Sequence, residues 1–130
     1  MSGTVVLLGK LSSELNLLRG IAKTYAWSVQ CAETLSDLES FGHSGVVAVL
    51  FDPKELDTDQ RHALNRVHHA APDALPIVCC RFSEELQWLD LTETGIFHLL
   101  RYPFALEEVR QTFGFVQGAR RRRRSFAGQS

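Results

Sequence analysis

The sequence predicts a single α/β domain built on a parallel sheet with helices on both faces. Three observations carry this. Short apolar runs recur along the chain, at Val5–Leu8, Val46–Phe51, Ile77–Cys80 and Ile96–Leu100. Stretches of helical period lie between them. And Val46–Phe51 is apolar throughout rather than alternating, the pattern of a central strand covered on both sides.

Taken in order, Val5–Leu8 is a buried strand ended by Gly9. Ser12 or Ser13 caps a helix, with Glu14 set against its positive end and Leu15, Leu18, Ile21, Ala22 and Tyr25 on one face. Gly20 weakens that helix by about 1 kcal/mol relative to alanine. A brief strand over Trp27–Cys31 follows, then a short helix opened by Thr34 or Ser36 and ending near Phe41. After Val46–Phe51 the chain stops at Asp52-Pro53. Asp57 or Thr58 caps a third helix with an apolar stripe of Leu64, Val67 and Ala71. Pro72, Asp73 and Pro76 break the chain before the strand at Ile77–Cys80. Ser83 starts a fourth helix running to about Leu91, Gly95 leads into Ile96–Leu100, and Ala105–Val116 is a last amphipathic helix. Five strands alternating with five helices imply right-handed crossovers, and the economical arrangement is the flavodoxin-like (βα)5 doubly wound sheet with strand order 2-1-3-4-5.

The 130 residues, 45% hydrophobic and 22% charged, fit one globular domain with its own core. The net charge of −1 hides an asymmetry. Arg120–Arg124 supplies five of the 14 basic residues, and all 15 acidic residues precede it, so residues 1–119 carry a formal −6. The chain thus divides into a domain at 1–118 and an arginine-rich tail at 119–130, expected to be unstructured. Cys31, Cys79 and Cys80 show no metal or redox spacing and are expected as reduced thiols. The N-terminal residues lack a signal-peptide pattern, and no apolar run reaches membrane-spanning length. The expectation is a cytoplasmic protein with no membrane association.

In such a sheet the chemistry lies beyond the carboxyl ends of the strands, near the switch point between the first and third. The residues there are Gly9-Lys10, Asp52, Arg81 and Tyr102-Pro103. Over residues 4–117 the chain resembles a response-regulator receiver domain, CheY-like in type. The resemblance rests on the VVAVLFD block ending at Asp52, the LPIVCC strand, and Gly95-Ile-Phe-His-Leu-Leu-Arg-Tyr-Pro-Phe104 followed by Glu107 and Glu108. It implies bacterial two-component phosphorelay signalling, with Asp52 at the phosphoacceptor position.

The same resemblance implies an acidic pair holding Mg²⁺, a Thr or Ser, and a Lys in contact with the phosphoryl group. Those positions fall on Gly9 and Lys10, on Arg81 (or Cys80, one residue earlier), and on Tyr102 beside the retained Pro103. A carboxylate attacks an anionic phosphodonor only where cations offset the developing charge, and Mg²⁺ itself needs carboxylate oxygens. The expectation is therefore an atypical receiver with a degenerate pocket. A Lys10–Asp52 or Arg81–Asp52 pair would stand in for the metal, with no cofactor and no enzymatic activity. The alternative from the same positions is a receiver still phosphorylated on Asp52.

Trp88, Leu89, Leu91, Phe97 and Tyr102 gather aromatic and apolar residues near the fifth strand, the greater part expected as core and the remainder as a partner or dimer face. His62 and His69 share a helix face near His68, with His43 elsewhere, and solvated histidines are the expectation. Arg120, Arg121, Arg122, Arg123 and Arg124 leave four readings open: nucleic-acid phosphates, an acidic partner, the domain's own acidic surface, or the start of a linker to an output domain. The leading functional expectation is a module acting through a protein partner or a homodimer. A nucleic-acid-binding accessory protein is the alternative from another class.

Overall fold

The structure is a computed structural model. It describes residues 3–9, 15–40, 45–52, 60–81, 98–102 and 104–129, with the side chains of 60–61, 80–81, 98–99, 101–102 and 120–129 left out. The strands are β1 (Gly3–Leu8), β2 (Trp27–Ala32), β3 (Val46–Phe51), β4 (Leu75–Arg81) and β5 (His98–Tyr102). The helices are α1 (Leu15–Thr24), α2 (Leu35–Glu39), α3 (Gln60–Ala70) and α4 (Leu106–Gln129). All strand pairs are parallel, in the order β2-β1-β3-β4-β5, as the sequence predicts.

The two faces of the sheet bury two separate clusters, which makes it doubly wound. Val5, Leu7, Leu50, Ile77, Cys79 and Leu100 pack with Leu18 and Ile21 of α1 and with Val109 and Phe113 of α4. Val6, Leu8, Val49, Phe51 and Val78 pack with Leu38 of α2 and with Leu64 and Val67 of α3. Every residue of β3 is buried, so its uninterrupted apolar run is the requirement of a strand with helices above and below.

Local chemistry sets the element ends. Thr34 caps α2 in a capping box, with the Asp37 N–H donating to Thr34 Oγ1 at 3.1 Å and the Thr34 N–H donating to Asp37 Oδ2 at 3.3 Å. Arg66 of α3 ties to Glu39 of α2 at 3.1 Å. Ala26, at φ 61°, turns the chain out of α1 into β2. Tyr25 stacks on Trp27 with ring centroids 4.8 Å apart, and Trp27 meets Phe113 of α4 at 5.7 Å. These rings close the amino-terminal end of the α1–α4 face. There the β1–β3 register shifts between Thr4 and Val5, leaving Val47 as an extra residue against Gly3.

Several expectations need correction. β5 runs two residues past the expected end at Leu100, because Cys80 and Arg81 of β4 carry the pairing on to Arg101 and Tyr102, while Ile96 and Phe97 lie outside the described residues. β4 begins at Leu75 and includes Pro76 instead of starting after it. Pro76 pairs with Val49 of β3, and among the described residues the pairing with β5 starts at Ile77. The last helix does not stop at Val116: the backbone is helical through Gln129. Arginine and alanine are good helix formers, and no proline interrupts them. The caps expected at Ser12, Ser13, Asp57 and Thr58, and the helix expected over Ser83–Leu91, lie outside the described residues.

Candidate functional site

β1 and β3 are neighbours at the centre of the sheet, and Leu8 pairs with Phe51 on one side as Val78 of β4 does on the other. One residue beyond this row stand Gly9, Asp52 and Cys79. The fold thus brings Asp52 to the switch point where the sequence placed it, at the end of a strand with no freedom to shift. Asp52 is 2% exposed. A carboxylate so enclosed is held by its surroundings.

Gly9 adopts φ 96°, and its N–H donates to the Ala32 carbonyl at 2.8 Å, extending the β1–β2 ladder by one bond. This is the left-handed side of backbone space, where a side chain meets its own carbonyl and glycine does not. The residue in the first acidic position of the implied pocket is therefore a glycine by backbone demand as well as by sequence. Cys79 is fully buried with the α1–α4 cluster, its thiol 4.0 Å from the Ile77 carbonyl. Its burial follows the alternation of a covered strand, since it shares the parity of Ile77.

Arg81 and Tyr102 are paired at the carboxyl ends of β4 and β5. Lys10 and Pro103 lie outside the described residues, as do the side chains of Cys80, Arg81 and Tyr102 and all of Trp88, Leu89, Leu91 and Phe97. Phe104 is buried in the α1–α4 cluster and anchors the start of α4. Among the described residues the large apolar side chains left exposed are Leu106 and Phe115, both on α4. His62, His68 and His69 are exposed on α3, and His43 lies outside the described residues. No helix among the described residues is long and apolar enough to cross a membrane.

A five-stranded parallel sheet of order 2-1-3-4-5, wound on both faces and carrying an aspartate at the end of its third strand, defines an α/β domain of receiver type. Solved structures bear this out. The chain superposes on NtrX from Brucella abortus with a TM-score of 0.79 at 12% identity, over 99% of its own length and 29% of that chain. It matches a response regulator from Thermotoga maritima with a TM-score of 0.73 at 14% identity, over 89% of this chain and 98% of the other. It matches a response regulator receiver domain protein from Clostridium thermocellum at 0.70 and 13%, over 92% and 97%. The chain has the receiver-domain fold of two-component response regulators, and it spans less than a third of the NtrX chain. No protein-family model and no curated protein matches the sequence.

Proposed function

We propose that this chain is an atypical receiver domain that acts through protein–protein contact in two-component signalling, with little or no Mg²⁺-dependent phosphorylation and no enzymatic activity of its own. The observation that carries this is the pairing of a buried Asp52 with a left-handed Gly9 at the switch point. Mg²⁺ takes oxygen ligands in near-octahedral geometry and is held by carboxylates. Positions 9 and 10 offer a glycine and a lysine, so the donor set does not fit the ion. Without a cation to offset charge at Asp52, phosphoryl transfer loses its main source of transition-state stabilisation. A Lys10 or Arg81 cation near Asp52 would fill that electrostatic role permanently, holding the domain in one state. The cytoplasm, where two-component partners meet, is the matching location.

A second reading, phosphorylation of Asp52, is favoured by the aspartate retained at the end of β3. Incubation with a small-molecule phosphodonor and Mg²⁺, followed by intact mass measurement, separates the two. The proposal expects an unmodified chain, indistinguishable from Asp52→Asn. A phosphoryl adduct that Asp52→Asn abolishes would establish the second reading instead.

A further inference from the structure

We infer that the C-terminal part of α4 is a sequence-independent binding site for the phosphate backbone of duplex nucleic acid. The case begins with lengths. The 24 residues of α4 span about 36 Å. Strands of five to seven residues span only about 16–23 Å. The helix therefore outruns the sheet it packs on. Among the described side chains its buried stripe runs through Val109, Phe113 and Val116 to partly buried Ala119, and Arg120–Arg124 follows at once on the same helical backbone.

Direction settles where this segment goes. α4 starts beside Phe104, at the carboxyl end of β5, and passes Trp27, the first residue of β2. It therefore runs antiparallel to the strands and leaves the domain at the edge opposite Asp52. A helix continuing along its own axis carries the five arginines away from the domain, so the chain's own acidic surface is not their occupant.

The pattern of charge favours a duplex over an acidic protein. Consecutive helical positions are 100° apart, so five in a row occupy every side of the helix. A flat acidic surface meets only one side of such a collar. The major groove, about 12 Å wide, accepts a helix of about 10–12 Å diameter between two phosphate walls. Arginine suits that partner, since its guanidinium forks onto phosphate oxygens. The −6 charge of residues 1–119 keeps the body of the domain off the duplex and confines contact to the segment. Backbone contact without base reading follows.

The test is fluorescence anisotropy of the full chain with short labelled duplexes of unrelated sequence, across a salt series. With five arginines the expected log–log salt slope is at most about −4.5, so affinity falls about 10²–10³-fold between about 50 and about 200 mM salt. Affinity should not depend on duplex sequence. The variant with Arg120 through Arg124 replaced by Gln should lose the binding and its salt slope, and the slope of the unaltered chain is a test that needs no variant. Salt-independent binding, or binding that the Gln variant keeps, overturns the proposal. So does salt-sensitive self-association without duplex binding, which would assign the segment to the acidic surface of a second copy.

Discussion

Gly9 and Asp52 stand side by side, each one residue past the Leu8–Phe51 pair that closes the two central strands. One has a backbone only glycine adopts easily, and the other has a carboxylate sealed from solvent. In a receiver-type sheet these are the two places where acidic ligands and a phosphoacceptor would cooperate. Here Asp52 is the buried carboxylate among the described residues, and the backbone of Gly9 beside it disfavours a side chain.

Restoring the missing acid should therefore cost stability. Gly9→Asp places a side chain at φ 96° and is expected to destabilise the fold by about 1–2 kcal/mol, read as a lower urea midpoint. An unchanged or raised midpoint would show that the turn after β1 relaxes freely.

Gly3→Ala should also be destabilising, for a different reason. A Cβ at position 3 would overlap Val47 Cγ1 and press on the Trp27 ring at 3.0 Å. Both neighbours are buried side chains at the β1–β3 bulge, so the expected loss is about 1–3 kcal/mol by chemical denaturation.

Two opposite exchanges around α1 should both stabilise. Gly20 is exposed, with open space where a Cβ would go, so Gly20→Ala should add about 0.5–1 kcal/mol through helix propensity. Ala26 is exposed at φ 61°, and Ala26→Gly relieves a left-handed cost of about 1–2 kcal/mol against a smaller loss of chain entropy. Thermal unfolding of the two variants is the measurement.

Thr112 makes a further stability site. It is fully buried on α4, and its hydroxyl has no hydrogen-bond partner among the described residues. Thr112→Val removes a desolvated polar atom at nearly constant volume and should raise stability by about 1 kcal/mol. A loss of stability would reveal a partner for the hydroxyl.

These residues also mark what was legible in the sequence. The uninterrupted apolar run of β3 announced a doubly covered central strand, and Asp52 after it located the switch point. The cap of α2 was narrowed to Thr34 or Ser36 by residue type, and Asp37 at the capping-box position selects Thr34. Periodicity gave no signal for α4 beyond Ala119, because Arg120–Arg124 carries no apolar residue from which a helical stripe could be read. It fails too at sheet edges, where pairing with a single neighbour carries β5 two residues past the apolar run. The bulge at Gly3 and the left-handed Gly9 are backbone events set by long-range register, which no local pattern encodes.

The central claim concerns the pocket at Asp52, and its most direct test is a Mg²⁺ titration of the full chain in the presence of beryllofluoride, followed by tryptophan fluorescence and amide chemical shifts. The account predicts no saturable change at millimolar Mg²⁺ and identical behaviour of Asp52→Asn. Saturable binding that Asp52→Asn removes would contradict it, and would return this domain to the phosphorylated kind.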